Sequence, residues 1–260
     1  DTGLVYQEGG AADLFDADGI YIGSSNDMKL GWNLINGEWY YKYGANLLNG
    51  KAEIDGKEYC FENGIMMKNT ASTASLSEYC YGEDGIRLSG TGWKLLDGKW
   101  YYLNSKSEYI TGWAMIGTER YYFLTEEDCF AEKIADKINY GRLGVMCTGY
   151  RVINGRLCYF DQNGAYRGIR GYENGWYYAK EENIWYFMKG QRVTTGRATV
   201  NGSEYIFASD GKMYADTIVK ENGLRYVNSD GAIVTQKGWR LLSNGYIYIQ
   251  DNGTVCTGIK

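Results

Sequence analysis

The sequence contains no histidine and no proline in 260 residues. Without histidine, Ser-His-Asp and Cys-His triads and histidine-ligated zinc are excluded. Without proline, the turns rest on glycine, of which there are 36, and on asparagine and aspartate. No run of Lys or Arg occurs and the net charge is −5, which argues against nucleic acid and anionic membrane surfaces as partners. The apolar residues come in short runs, too short to insert into a membrane. The six cysteines show no C-x-x-C spacing, which argues against a metal or thioredoxin-like site. They are expected to be small apolar fillers, because Cys60, Cys80 and Cys158 stand where sister repeats carry tyrosine.

What is abundant is aromatic: 26 Tyr and 8 Trp. Asn-Gly or Asp-Gly steps begin at 36, 55, 97, 154, 174, 201, 222 and 244, with Gly117-Thr118 in the same role. Such dipeptides supply the positive φ angles of I′ turns, and between aromatic and β-branched residues they signal hairpins. After the turn comes a recurring cluster: EWYYK, KEYCF, KWYYL, ERYYF, RLCYF, SEYIF. A second glycine turn often follows, as at Asn63-Gly64, Asp84-Gly85, Asn163-Gly164, Asp210-Gly211, Asp230-Gly231 and Asn252-Gly253. A fixed period of roughly 20 residues predicts an all-β solenoid of about eleven successive hairpins, each burying its apolar face against its neighbours. Residues 1–30 are expected to be divergent repeats acting as a cap, and 31–260 the repeat array. Stretches near 64–90, 124–148 and 178–196 are expected to interrupt it.

A two-residue turn at Asp97-Gly98 places Leu96 opposite Lys99, Leu95 opposite Trp100 and Trp93 opposite Tyr102. Facing residues share a side and successive residues alternate. Trp93, Leu95, Trp100 and Tyr102 therefore fall on one face, with Leu96, Tyr101 and Leu103 on the other. The Tyr101 position recurs as Tyr40, Tyr59, Tyr121, Cys158, Tyr205 and Tyr226, and the Leu103 position as Phe61, Phe123, Phe160 and Phe207. That face suits a shared core. The opposite face swings from Trp32, Leu34, Trp39, Tyr41 to Lys51, Glu53, Glu58, Cys60. A face needed only for packing does not do that, so it is the candidate site.

At these residues the sequence resembles the cell-wall-binding repeat superfamily: choline-binding modules of Gram-positive surface proteins, glucan-binding repeats of glucansucrases and repeats of large clostridial toxins. The matching text includes GWNLINGEWYY (31–41), GWKLLDGKWYYLN (92–104), GWAMIGTERYYF (112–123), GYRVINGRLCYFDQNG (149–164) and VNGSEYIFASDG (200–211). The resemblance implies a non-catalytic binding role in a secreted or surface-bound bacterial protein, linked to another domain and needing no cofactor. In choline-binding members, two Trp of one repeat and an aromatic of the next form a cage. By position, Trp93 and Trp100 supply the pair and Trp113 the third wall, with Tyr122 or Met115 nearby. Trp32 and Trp39 supply another pair, whose next unit offers only Lys51 and Ala52. Tyr150 pairs with Leu157, and Trp239 with Tyr246 or Tyr248. An indole face accepts a quaternary ammonium, worth roughly 0.5–2 kcal/mol per ring, or the C–H face of a sugar whose hydroxyls Lys106, Glu108 and Arg120 are placed to fix. The partner is thus a glycan or cell-wall polymer, or choline on it. A spacer or protein-binding arm is the reading without a small ligand.

Two other patterns carry less. Glu126, Glu127 and Asp128, like Glu181-Glu182, offer carboxylates, but glycoside hydrolysis needs a defined separation between two of them. Asp16, Asp18 and Gly19 echo the start of a calcium loop without its terminal glutamate, and a second-turn motif accounts for them.

Overall fold

A computed structural model describes residues 3–6, 11–16, 18–72, 78–131, 142–242 and 245–256. The chain is all-β: a succession of small antiparallel sheets of two or three strands, each made from strands adjacent in sequence. Among the described residues the helical elements are Glu126–Ala131 and a single 3-10 turn at Ser25–Asp27. The strands group into two compact units. One holds the described residues up to Ala114 with Tyr122–Cys129 and 142–146; the other holds Met115–Tyr121 and those from Cys147 onward.

The turn dipeptides set the registers. Asp97 and Gly98 adopt φ of 46° and 69°, the left-handed pair that a I′ turn requires. Strands Gly92–Leu96 and Lys99–Leu103 then pair as expected, with Trp93 opposite Tyr102 and Leu95 opposite Trp100. The same register holds at Asn36-Gly37, Asp55-Gly56, Asn154-Gly155 and Asn201-Gly202. Several second turns are tied by an Asn or Asp whose side chain takes backbone N–H groups two and four residues on. Asn104 Oδ1 accepts from Lys106 (2.8 Å) and Glu108 (3.1 Å), and Asp161 Oδ1 from Asn163 (2.9 Å) and Ala165 (3.0 Å). Asp16 does the same for Asp18 and Ile20.

Two turn assignments are corrected. Asn222-Gly223 lies in a three-residue turn between Lys220 and Leu224, which moves Tyr226 one place off the Tyr101 position. Asn174-Gly175 is not a hairpin tip: Gly175 opens strand Gly175–Ala179, which returns as Ile184–Lys189 through a turn at 180–183. The glycine before a tryptophan is a strand-opening residue here, as Gly92 is before Trp93 (φ 112° and 130°). The 178–196 stretch is therefore part of a regular hairpin, not an interruption. Ser243 and Asn244 of the Asn244-Gly245 turn lie outside the described residues, bracketed by the pair Leu242–Gly245. Residues within 1–30 form a three-stranded sheet, Gly3–Tyr6, Ala12–Phe15 and Tyr21–Ser24.

The core is local and repeats with the hairpins. Leu96, Tyr101 and Leu103 are buried together with Tyr109, Ala71 and Cys80. Phe61, Phe123, Phe160 and Phe207 are all fully buried at the Leu103 position, each worth about 1.5–3 kcal/mol of apolar burial. All six cysteines are free thiols and five are buried. Burial pushes the Cys80 thiol up to about 12, which leaves it protonated and inert.

Candidate aromatic binding sites

The variable face builds the same arrangement three times. In the hairpin of Gly31–Ile35 and Glu38–Tyr43, the Trp32 and Trp39 rings stand perpendicular, 6.1 Å apart at 89°. Trp93 and Trp100 repeat this at 6.2 Å and 89°. Trp176 and Trp185 repeat it again at 6.2 Å and 89°. Each first indole also packs against the ring opposite it on the partner strand: Tyr41 at 5.0 Å, Tyr102 at 5.2 Å, Phe187 at 5.1 Å. Beneath it lies the phenylalanine of the following hairpin, Phe61, Phe123 or Phe207, at 5.8–6.0 Å. Those phenylalanines pair with Met66, Met146 and Met213. Met146 and Met213 donate their backbone N–H to the carbonyls of Trp100 (2.8 Å) and Trp185 (2.9 Å), which fixes the second indole's strand.

At the Trp32 and Trp176 sites the Tyr101 position of the next hairpin supplies a further wall. Tyr59 lies 5.0 Å from Trp32, and Tyr205 lies 4.9 Å from Trp176. This corrects two expectations. The Trp32–Trp39 pair is not left open by Lys51 and Ala52, and Tyr59 and Tyr205 are half-buried site walls instead of core fillers. The reason is geometric: a ring at that position is covered by its own hairpin below but meets the preceding hairpin's indole at its edge.

The second indoles Trp39, Trp100 and Trp185 are exposed to 36%, 41% and 42%, and at the third site the first indole, Trp176, is exposed as well, at 37%. An indole face and an indole edge meeting at a right angle make an apolar corner that holds a flat aliphatic surface or a cation. At the third site the corner deepens to a cavity of about 350 Å³, lined by Trp176, Trp185, Tyr205, Met213, Ser229 and Asp230. Burial, then the carboxylates of Asp84 and Asp55, raise the Tyr59 hydroxyl above the ordinary tyrosine value.

The remaining sequence candidates have the following neighbours. Trp113 holds the Trp93 position of its own hairpin and packs on Tyr122 at 5.1 Å. Tyr122 is buried, and its hydroxyl donates to Asp128 Oδ2 at 2.8 Å. Arg120 lies over the Tyr166 ring at 5.7 Å. Glu108 accepts from Asn104 Nδ2, and Lys106 gives its carbonyl to Arg87. Tyr150 packs on Tyr159 and Tyr177, not on Leu157 alone. Trp239 lies 5.2 Å from Tyr248 and is 67% exposed. Three of the carboxylates singled out, Asp128, Glu181 and Glu182, have structural partners. Asp128 accepts from the Thr125 N–H and hydroxyl at the head of the short helix. Glu181 accepts from the Tyr150 hydroxyl (2.7 Å) and Glu182 from the Tyr150 N–H (2.7 Å). Sequence reading missed Trp176 and Trp185 because it spent Asn174-Gly175 as a turn; the GW step at 175–176 was the available signal.

No family model matches the chain. Glucosyltransferase-S of Streptococcus mutans is 26% identical over 247 residues, covering 92% of this chain and 15% of that protein. Glucosyltransferase-I of Streptococcus downei is 26% identical over 263 residues, 93% of this chain and 15% of that protein. Toxin A of Clostridium novyi is 32% identical over 95 residues, 33% of this chain and 4% of that protein. The names of these relatives agree with the glucansucrase and clostridial-toxin branches of the resemblance read from the sequence. The chain spans about one seventh of the length of the two streptococcal glucosyltransferases. Among solved structures, an alternansucrase in complex with isomaltononaose is 20% identical with a TM-score of 0.35, over 93% of this chain and 17% of that one. Choline binding protein F of Streptococcus pneumoniae is 19% identical with a TM-score of 0.31, over 90% of this chain and 92% of that one.

Proposed function

We propose that the chain is a non-catalytic, extracellular bacterial module that binds glycan or cell-wall polymer. In this reading its hairpins continue one another as a β-solenoid, with residues 1–30 as the cap of the 31–260 array, attached to a further domain. The observation that carries it is the threefold recurrence of the perpendicular indole pair at one register position, each with its outer indole exposed. Packing alone gives no reason to expose 36–42% of a tryptophan three times over. The relatives are proteins whose names describe glucosyl transfer and a toxin, and a repeat region that holds polysaccharide serves either.

The test is a glycan panel that includes cell-wall fragments and isomalto-oligosaccharides, read by isothermal titration. Trp39→Ala, Trp100→Ala and Trp185→Ala are expected each to remove one of three binding equivalents. Unchanged binding in the triple variant would end this reading. Trp93 and Trp32 are poorer probes, because truncating a packed indole costs about 3–5 kcal/mol of stability.

A second reading is favoured by Asp230, a carboxylate beside the Trp176–Trp185–Tyr205 cavity: a quaternary ammonium such as choline, held by three ring faces. Choline titration to tens of millimolar, followed by Trp fluorescence, decides it. A response lost in Trp185→Ala supports it, and a flat titration rules it out.

A further inference from the structure

The hairpin of Gly50–Ile54 and Lys57–Glu62 carries the same site architecture with its aromatic face replaced. Lys51 stands at the first-indole position and Glu58 at the second, with Glu53 opposite Glu58. The following strand pair keeps its rings, Tyr79 and Tyr81 at the places of Tyr59 and Phe61. Arg87 takes the place of Met213: it bridges to Tyr81 and donates its N–H to the Glu58 carbonyl at 2.8 Å, as Met213 does to Trp185. Between these groups lies an open cavity of about 140 Å³, lined by Lys51, Ala52, Glu53, Glu58, Tyr59, Tyr79 and Tyr81.

The polar groups there are only half used. Arg87 stacks on Tyr79, 3.5 Å from the ring centre, and bonds Glu58 at 2.6 Å. Lys51 Nζ lies 5.0 Å over the same ring, and neither Lys51 nor Glu53 has an ion pair among the described residues. Two carboxylates directly opposite on an antiparallel pair repel each other, so Glu53 costs stability where it stands. The contrast is the hairpin of Gly196–Val200 and Ser203–Phe207. There Arg197 at the first position grips Glu204 at the second with two bonds of 2.9 and 2.6 Å, and reaches Glu221 as well. That replacement closes on itself. The Lys51 version does not.

We infer that this cavity is a polar sugar subsite that takes one neutral hexopyranose ring. Lys51 and Arg87 balance Glu53 and Glu58, so the lining favours neither a cation nor an anion. It presents a donor, carboxylate acceptors and tyrosine faces, which is the complement of a ring with hydroxyls around its edge and C–H groups on its faces. Tyr59 lines this cavity and also walls the Trp32 site. Consecutive rings of one glycan therefore occupy the aromatic site and the polar one, on either side of the Tyr59 ring. The inference rests on the glycan reading above and extends it to neighbouring subsites.

The experiment uses the full chain carrying Trp100→Ala and Trp185→Ala, so that the Trp32–Trp39 site reports alone. A panel of neutral and acidic oligosaccharides of one to six rings is titrated, including isomalto-oligosaccharides and cell-wall fragments. In this background a neutral ligand is expected to gain about tenfold in affinity when the ring that reaches the cavity is added, the yield of a few hydrogen bonds. Lys51→Met and Glu53→Gln are each expected to erase that step while leaving the shorter ligand's affinity as it was. Glu53→Gln is also expected to raise the denaturation midpoint, because it relieves the facing carboxylates, so that binding and stability move in opposite directions. An equal length step in both variants overturns the subsite and leaves the glycan reading intact. A step that appears only with acidic sugars overturns the neutral-ring assignment. Absence of binding by every panel member, in this background and in the unmutated chain, overturns both.

Discussion

At the scale of single residues, glycines and buried thiols carry the sharpest consequences. Gly85 has φ of 75°, and a Cβ added to it would run into the Met66 sulfur. Gly37 has a similar φ of 83° but open space around the same position. Gly37→Ala is expected to cost about 1 kcal/mol from the backbone alone, and Gly85→Ala roughly 1–3 kcal/mol more through overpacking. Paired urea denaturations check the difference. The cysteines give a second expectation. A thiol-reactive dye should label Cys256 in the native chain and all six residues after denaturation, since the other five are buried. Rapid labelling of Cys80 in the native state would contradict its burial and its raised thiol value.

At the scale of the hairpin, stability comes from neighbours. A lone two-stranded hairpin is marginal in water, and here the core under Tyr101 and Leu103 is completed by Tyr109, Ala71 and Cys80 from other elements. A peptide of residues 92–110 is expected to show no stable hairpin by circular dichroism, despite its Asp97-Gly98 turn. Ion pairs at exposed positions tune individual hairpins with pH. The hydrogen bond from Arg197 holds the Glu204 carboxyl below the usual glutamate range. The Tyr150 hydroxyl does the same for Glu181. A carboxyl depressed in the folded state adds stability that is complete above its unfolded value, about 4.3, and is lost as pH falls through the folded one. Denaturation midpoints should therefore drop on the acid side below about pH 4.3, with a shallower slope in Glu204→Gln.

At the scale of the whole chain, the recurrence of three sites matters more than the strength of any one. On the proposed reading a single indole corner would bind weakly, but sites joined on one chain would act at high effective concentration toward a polymer. Single variants at Trp39, Trp100 or Trp185 are expected to weaken retention on an insoluble polysaccharide by more than their effect on a short oligosaccharide. The triple variant should not be retained. Equal losses on polymer and oligosaccharide would show that the sites do not cooperate through linkage. Among the described residues no helix is long and apolar enough to cross a membrane.

The sequence by itself determined the hairpins, their registers and the division of faces around Asp97-Gly98, because a two-residue left-handed turn leaves one pairing and strand alternation does the rest. It determined the buried phenylalanine series and the Trp93–Trp100 and Trp32–Trp39 pairs for the same reason: these are contacts within one hairpin. What only the tertiary structure decided lies between hairpins. That Tyr59 and Tyr205 wall the preceding site depends on how one hairpin stacks on the next, as does the enclosure of Lys51 and Glu58 by Tyr79. Trp176 and Trp185 were legible in principle. The choice between Gly175 as turn and Gly175 as strand start depends on a four-residue return at 180–183 that carries no Asn-Gly or Asp-Gly signal. Local pairing is encoded by turn chemistry and period, whereas the identity of a site's far wall is set by packing across residues distant in sequence.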